Sequence, residues 1–243
     1  MAQSTTAQAY TLYPVLWQQT AAEYRALCYQ AFNAATHQLS TYSSRSLRKR
    51  HAVIVTDLDE TILNNSYYNA QLIKDGKSYT GSSWKQWTDR AQATAVPGAV
   101  AFLQQAAKRG VHIYYISNRD TSEVAATITN LKALQLPDAD AEHCIFRSGP
   151  SSKEARRQQV QQQHEIIMLL GDNLSDFTDA FEKKSVAERF TATDAAQANW
   201  GAKFIVLPNA TYGDWLNALY DNRSGLSPAQ KDSILNSSLS GIR

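Results

Sequence analysis

The sequence predicts an α/β protein built on an open, Rossmann-like parallel sheet with helices on both faces and a small, mainly helical cap. Three observations predict it. Short apolar runs alternate with segments of helical periodicity, as in strand–helix–strand units with right-handed crossovers. The runs are continuously apolar, which is typical of strands buried on both faces. Polar and acidic residues follow several of the runs, at the sheet edge where ligands bind in such folds.

The composition is that of an ordinary globular enzyme. Of the 243 residues, 43% are hydrophobic and 19% are charged, so the chain can bury a large core without metal or disulfide staples. A net charge of +2 is too small to indicate binding to a nucleic-acid polymer or an anionic membrane. Cys28 and Cys144 fit no zinc or redox spacing, and they form one bridge or none.

The first predicted element is a helix over 16–39. Its apolar face is expected to carry residues that recur at spacings of three, four and seven, namely Trp17, Tyr24, Leu27, Ala31 and Ala35. The basic stretch "TYSSRSLRKRH" that follows is typical of a solvated loop.

Strands and helices then alternate. The apolar runs predict strands over 52–56, 111–117, 143–148, 165–171 and 203–208, and the intervening patterns predict helices over 98–110, 121–136 and 152–164. About thirty polar and aromatic residues interrupt the alternation after the first strand. A structureless loop of that length is improbable in a compact domain, so this insertion is predicted to form a small cap or a flap over the sheet edge.

The acidic candidates follow two of the predicted strands. Asp57 and Asp59 stand two apart after the first strand, so their side chains share one side while Leu58 turns toward the core. Asp172 and Asp176 follow the strand over 165–171. Four acids at one edge would repel one another in a partly desolvated site. A hard divalent cation such as Mg²⁺ relieves that repulsion and also binds substrate phosphate.

Groups that suit a phosphoryl oxygen follow the other strands. Ser117, Asn118 and Arg119 end the strand over 111–117, and Lys153 opens the helix after the strand over 143–148. Hydroxyl, amide and ammonium donors at one edge would hold a phosphoryl group. Each of them alone has a plainer explanation, Ser117 as a strand-end cap and Lys153 as a solvated helix residue. The order of all of them along one alternating chain favours phosphate chemistry.

The combined motifs resemble the haloacid dehalogenase superfamily, and most closely its class C acid phosphatases, the bacterial surface lipoprotein phosphatases. The resemblance spans roughly Trp17 to Trp215 and rests on "EYRALCYQAFNAA", "VIVTDLDETILNNS", "WKQWTDRAQATAVPGAV", "YYISNRD", "SSKEARRQQV", "GDNLSDF" and "FIVLPNATYGDW", in that order. It implies one phosphatase domain over 1–243, with the cap made by the N-terminal helix (about 13–40) and the insertion 64–97.

The resemblance also implies catalytic and metal-binding roles. Asp57 resembles the nucleophile and a Mg²⁺ ligand. Asp59 resembles the acid/base and lends its backbone carbonyl to the metal, while Asp172 and Asp176 complete the metal site. Because Asp59 must be protonated to donate, an acidic pH optimum is expected.

Binding roles follow from the same resemblance. Ser117, Asn118 and Lys153 match the phosphate-binding positions, and Trp84 and Tyr212 match the aromatic residues that stack on the substrate's base. Trp87 is expected to pack within the cap. The implied substrates are phosphomonoesters, with 5′-nucleotides, nicotinamide mononucleotide and aryl phosphates among them, and a homodimer is one open alternative for the oligomeric state.

The sequence allows more than one cellular location and more than one activity. "MAQSTTAQAY" lacks the apolar segment of a signal peptide, and Cys28 lies inside a predicted helix, so the family's export signal and lipid-bearing cysteine are absent from this chain. The resemblance still implies the bacterial cell envelope (periplasm or outer-membrane surface) or secretion, with a cytosolic location as the alternative. A non-catalytic nucleotide-binding module and a phosphotransferase on the same scaffold are the alternatives to a phosphatase.

Overall fold

A five-stranded parallel sheet forms the centre of the molecule in the computed structural model, which describes residues 6–242. In chain order the strands are β1 (Ala52–Thr56), β2 (Leu63–Asn64), β3 (Thr94–Ala95), β4 (His112–Asp120), β5 (Cys144–Arg147), β6 (Glu165–Gly171) and β7 (Phe204–Val206). The sheet has the order β5-β4-β1-β6-β7, and β2 pairs with β3 in a separate antiparallel ladder. All five predicted strands are confirmed, with ends that differ by at most three residues.

Helices cover both faces of the sheet, which confirms the predicted α/β class. They are α1 (Thr6–Thr20), α2 (Ala22–Ser40), α3 (Ser44–Lys49), α4 (Ser66–Lys74), α5 (Gly81–Thr88), α6 (Ala99–Lys108), α7 (Val124–Ala133), α8 (Glu154–Gln161), α9 (Val186–Ala195), α10 (Asp214–Leu219) and α11 (Pro228–Ser237). The three helices predicted between the strands are present but shorter, and the predicted start of α7 is a 3₁₀ turn over Thr121–Glu123. Within the described residues, no helix combines the length and the apolar character needed to cross a bilayer.

The prediction of a single N-terminal helix over 16–39 is wrong. The segment begins earlier, at Thr6, and divides at Ala21, whose extended backbone (φ −79°, ψ 127°) separates α1 from α2. The apolar face is also rotated relative to the prediction, because Leu27 is 42% exposed. The residues of α2 that are buried against the sheet are Tyr24, Cys28, Phe32, Ala35 and Leu39.

The basic stretch after α2 is not a simple loop. Residues 44–49 form α3, which begins where the Ser43 hydroxyl accepts a hydrogen bond from the Ser46 N–H (3.1 Å). Leu47 is fully buried in the main core and fixes this short helix to the molecule. One apolar residue among six polar ones was too weak a signal to predict a helix from the sequence.

Two apolar clusters lie on the two faces of the sheet. Along β1 the residues Val53 and Val55 join one cluster and Ile54 joins the other, as expected from the alternation of side chains along a strand. Cys28 and Cys144 are both buried in the larger cluster as free thiols. The open question of a disulfide is therefore settled as no bridge.

The insertion after β1 folds beside the N-terminal helices. It contributes β2, α4, α5 and β3 in sequence, and α1 packs against α4. Gln18 on α1 donates a hydrogen bond to the Asn64 carboxamide oxygen (3.1 Å), and the rings of Tyr68 and Trp87 stack between α4 and α5 (centroids 6.4 Å apart). The division into a phosphatase domain with a two-part cap over about 13–40 and 64–97 stays a prediction.

Candidate active site

Three strands of the parallel sheet bring the candidate site residues to one edge. Asp57 follows β1 and Asp172 follows β6, which are hydrogen-bonded neighbours in the sheet, while Ser117 lies near the end of β4 on the other side of β1. Because the strands are parallel, their carboxyl ends meet at this edge, where an open α/β sheet binds its ligands. Leu58 is fully buried in the main core, as the two-residue spacing of the neighbouring acids predicted.

Three of the four predicted acids form one cluster. Asp57, Asp172 and Asp176 each offer a carboxylate oxygen, and these atoms lie within 4.8 Å of one another. Burial raises the pKa of Asp57 and of Asp172 above the ordinary value, and the charge of Asp176 adds to both increases. Lys153 opposes the increase at Asp57 without cancelling it. The cluster therefore holds negative charge at an energetic cost that a bound cation would relieve.

Lys153 is part of this cluster rather than a solvated helix residue. It is the residue that precedes α8, and its buried ammonium donates to an Asp57 carboxylate oxygen and lies 2.7 Å from Asp176 Oδ1. Three carboxylates and one ammonium leave two negative charges when all are ionised. A hard divalent cation that prefers oxygen ligands fits that charge and that set of donors.

The two carboxylate oxygens of Asp172 accept hydrogen bonds from two residues that the sequence analysis did not assign to the site. Thr61 donates its hydroxyl to Asp172 Oδ1 (3.0 Å), and Asn209 donates its carboxamide to Oδ2 (2.8 Å). Such partners orient a metal-ligating carboxylate and tune its basicity. Thr61 stands two residues after Asp59 in the quoted motif, whereas nothing near Asn209 in the sequence points to Asp172.

Asp176 occupies space that only glycine leaves open. Its carboxylate accepts a hydrogen bond from the Asn173 N–H (3.1 Å) at the start of a 3₁₀ turn over Leu174–Asp176. A Cβ atom on Gly171 would lie 2.4 Å from Asp176 Cβ and 2.5 Å from its Oδ2. Because real Cβ contacts are longer than this, the glycine at the end of β6 allows Asp176 to reach the cluster.

Asp59 is not one of the three clustered acids and is held by Arg119. The guanidinium contacts both carboxylate oxygens, with Nη2 2.7 Å from Oδ1 and Nε 3.1 Å from Oδ2. Asn65 donates a further hydrogen bond to Oδ1 (2.9 Å), and Trp87 Nε1 in turn donates to the Asn65 carboxamide oxygen (2.8 Å). Arg119, which the sequence suggested as part of a phosphate cradle, is therefore engaged with Asp59 through a two-pronged ion pair.

Glu60 is a further buried acid, and the sequence analysis did not assign it to the site. Its backbone adopts a left-handed conformation (φ 60°), which is uncommon for a residue with a side chain. The carboxylate accepts hydrogen bonds from the Asn65 N–H (2.8 Å) and from the Tyr212 hydroxyl. Burial raises the pKa of Glu60 to about 7, and the charge of Asp59 adds to the increase. Its position directly after Asp59 was the signal available in the sequence.

The predicted phosphate-binding residues of β4 lie beside Arg156. The Ser117 side chain is buried, and its hydroxyl accepts a hydrogen bond from the Arg119 N–H (3.1 Å). Arg156 donates to the Ser117 carbonyl (2.6 Å) and to the Asn118 carboxamide oxygen (2.6 Å). The exposed Asn118 side chain thus contacts Arg156, a cation that the sequence reading did not include in the site.

The two aromatic residues expected to face a base flank the residues that hold Asp59. The ring of Trp84 lies under the Arg119 guanidinium (5.6 Å to the ring centroid) and meets Tyr68 edge-on (centroids 5.2 Å apart). Tyr212 directs its hydroxyl inward to Glu60 while 38% of the residue remains exposed. Trp87 packs against the main core and Tyr68. Trp84 and Tyr212 therefore approach the Asp59–Glu60 pair through separate contacts.

Comparison with known proteins is consistent across sequence and structure. A family model described as HAD superfamily, subfamily IIIB (acid phosphatase), matches residues 1–215. The crystal structure of the class C acid phosphatase from Bacillus anthracis with tungstate bound is 42% identical in sequence and superposes with a TM-score of 0.92, covering 98% of this chain and 100% of that chain. A second structure of the Bacillus anthracis enzyme has the same identity and TM-score and covers 99% of its own chain.

Proposed function

Because this chain belongs to subfamily IIIB of the HAD superfamily and is an acid phosphatase, we propose that it hydrolyses phosphate monoesters with the help of Mg²⁺ and a phosphoaspartyl intermediate. One observation carries the proposal. Asp57 lies with Asp172, Asp176 and Lys153 in one cluster, while Asp59 is held apart by Arg119. The separation of two neighbouring acids into different environments supports different chemical roles for them.

Asp57 is proposed as the nucleophile. Its carboxylate oxygen attacks the substrate phosphorus, the bond from phosphorus to the ester oxygen breaks, and an acyl phosphate forms on Asp57. Lys153, which contacts Asp57 and Asp176, supplies positive charge beside the phosphoryl oxygens. Ser117 and Asn118 are proposed as further phosphate-binding residues from the end of β4.

Asp59 is proposed to move the proton. It donates a proton to the leaving ester oxygen and later accepts one from the water that attacks the phosphoaspartate, which releases inorganic phosphate and restores both acids. Arg119 and Asn65 hold the Asp59 carboxylate in one orientation through the hydrogen bonds described above. A fixed orientation directs proton transfer to one position, and donation requires the carboxyl group to give up part of its contact with Arg119.

The proposed metal site comprises the side chains of Asp57, Asp172 and Asp176 with the backbone carbonyl of Asp59. The oxygen-only side-chain donors and their net negative charge fit Mg²⁺. When bound, this ion would neutralise charge on the phosphoryl oxygens and on the clustered carboxylates. Thr61 and Asn209 would keep Asp172 oriented in the loaded site.

The proposed substrates are small phosphomonoesters that carry a planar group. The tungstate bound by the Bacillus anthracis enzyme is a tetrahedral oxyanion with the shape of phosphate, which supports the binding of a phosphoryl group by this chain. Trp84 and Tyr212, which flank the Asp59–Glu60 pair, would stack on a base or an aryl ring. We therefore propose 5′-nucleotides, nicotinamide mononucleotide and aryl phosphates as substrates.

The decisive test of the mechanism is Asp57→Asn. The substitution keeps the shape of the side chain but removes the nucleophilic oxygen charge, so turnover of 4-nitrophenyl phosphate should fall to below about 1% of the wild-type rate. Asp194→Asn, at an exposed position on α9, is the matched control and should leave the rate unchanged. Retention of more than a few per cent of activity by Asp57→Asn would refute the assignment.

A substrate panel tests cofactor and specificity together. Phosphate release from 5′-nucleotides, nicotinamide mononucleotide and a non-aromatic sugar phosphate is measured with Mg²⁺ and with EDTA. We expect release only with the metal, and kcat/KM highest for the esters with a planar group. Trp84→Ala should reduce kcat/KM for the esters with a planar group more than for the sugar phosphate, and an unchanged preference would contradict base stacking.

Location and assembly complete the proposal. By its family resemblance the protein would act in the bacterial cell envelope or outside the cell, which fractionation of the producing cells would test. A homodimer stays a prediction that sedimentation measures directly.

A further inference from the structure

The amino-terminal edge of the sheet, opposite the acid cluster, is rich in histidine. Of the five histidines, four stand at the start of a strand: His51 before β1, His112 in β4, His143 before β5 and His164 before β6. Ser117 lies five positions after His112 along β4, and at a rise of about 3.3 Å per position the two edges are about 17 Å apart. Groups at the histidine edge therefore act independently of the proposed phosphatase site.

Two of these histidines converge with an aspartate. His112, Asp138 and His143 each offer one ligand atom, and these atoms lie within 4.8 Å of one another. His112 Nδ1 is 3.3 Å from Asp138 Oδ1, which matches the distance of about 3.3 Å between two ligands of a tetrahedral zinc site with bonds of about 2.0 Å. The two imidazole rings lie nearly parallel, with centroids 5.7 Å apart.

Neighbouring contacts hold the three side chains, and a bound ion would take the place of the proton shared by His112 Nδ1 and Asp138 Oδ1. His143 Nδ1 lies 2.8 Å from Asp140 Oδ1, and the tautomer that donates to this carboxylate leaves Nε2 with the lone pair that a metal needs. The Ile113 N–H donates to Asp138 Oδ2 (2.7 Å) and leaves Oδ1 directed at His112. A carboxylate behind a histidine, and a held second oxygen on an aspartate, are the supporting contacts typical of ligands in metal sites.

We propose that His112, Asp138 and His143 form a second metal site, selective for a divalent transition ion such as Zn²⁺, with water as the fourth ligand. Two imidazoles and one carboxylate suit Zn²⁺ and disfavour Mg²⁺, which prefers oxygen ligands. The His112 side chain is 61% exposed, so the ion reaches the site from solvent. A bound ion would join the start of β4 to the loop before β5 and stabilise that edge of the sheet.

Zinc binding to the full chain, measured at pH 7.5 in excess Mg²⁺, tests the proposal. Three variants separate this site from the acid cluster: His112→Ala and His143→Ala remove ligands, and Asp172→Asn weakens the cluster. His37→Ala, at an exposed position on α2, controls for the loss of one histidine. Wild type, His37→Ala and Asp172→Asn should retain one tightly bound Zn²⁺, while His112→Ala and His143→Ala should lose at least tenfold in affinity.

X-ray absorption at the zinc edge identifies the ligands directly. The Asp172→Asn protein with one equivalent of Zn²⁺ should show two imidazoles in the coordination shell, whereas an all-oxygen shell would overturn the proposal. Zinc affinity that is unchanged in His112→Ala would overturn it as well. Should His143→Ala fail to fold, His112→Ala still decides the matter because its side chain is largely exposed.

Discussion

The ion pair between Arg119 and Asp59 yields a prediction whose size follows from the structure. The Arg119 side chain is 2% exposed and that of Asp59 is 17% exposed. Removal of one partner of such a buried pair leaves the other charge without compensation, which costs about 3–5 kcal/mol. Because Asp59 retains some contact with water, Arg119→Met should lower the free energy of unfolding by about 3 kcal/mol, the lower end of that range.

Urea unfolding and a thermal melt measure this loss. For a chain of this size each kcal/mol shifts Tm by about 2–4 °C, so Arg119→Met should melt about 6–12 °C below the wild type. Arg119→Lys keeps the charge but not the two-pronged contact, and it should fall between the two proteins. The matched control is Arg50→Met, since Arg50 pairs with Glu165 at the surface with both side chains 46% exposed and should cost less than about 1 kcal/mol.

A double-mutant cycle isolates the pair itself. The cycle combines Asp59→Asn with Arg119→Met, and the interaction energy should reach at least about 1.5 kcal/mol because the two side chains are in direct contact. The rate of Arg119→Met should also fall about 10- to 100-fold, since Asp59 loses its orientation. An interaction energy below about 0.5 kcal/mol, as expected for two sites that do not interact, would show that the ion pair does not stabilise the protein.

Three further predictions concern other parts of the chain. Gly171→Ala should displace Asp176 and reduce kcat/KM about 100-fold, while Gly149→Ala, with open space around its Cβ position, should stay within about twofold; equal rates would contradict the close contact. Thr61→Val should weaken Mg²⁺ binding about tenfold through the lost contact with Asp172, as measured by titration of activity with Mg²⁺, and unchanged affinity would exclude that role. Burial raises the pKa of the Cys28 thiol to about 11, so Ellman's reagent should leave it unmodified at pH 8 until the protein unfolds. The neutral thiol is favoured in the folded state, so its contribution to stability is complete below pH 9 and is lost as the pH rises through about 11; stability that is flat over that range would contradict this.

The fold class, the strands and the family could all be predicted from the amino-acid sequence alone. Continuous apolar runs identify buried parallel strands because such strands need apolar side chains on both faces, and all five were located. Parallel strands also place their carboxyl ends at one edge, which is why the positions of Asp57, Ser117 and Asp172 could be assigned to the same edge without coordinates. The resemblance of the ordered motifs to class C acid phosphatases agrees with the family and the solved structures that match.

The ends of the N-terminal helices and the face that they bury were harder to predict from the sequence. The break at Ala21 involves no proline or glycine, so no residue at that position signals a helix end. Leu27 and Cys28 are both compatible with an apolar face in the sequence, and only packing against the sheet decides which of them is buried. Helix position and rotation depend on tertiary packing more than on intrinsic preference.

The contacts between side chains within the site could not be predicted from the sequence and became visible only in the folded chain. Arg119 holds Asp59 from 60 positions away, and Thr61 reaches Asp172 across 111 positions. The gap that Gly171 leaves for Asp176 is likewise visible only in three dimensions. Hydrogen bonds and ion pairs of this kind require donor–acceptor distances that are correct to within a few tenths of an ångström. The chain brings those groups together only through the packing of distant elements, which leaves no periodic trace in the sequence.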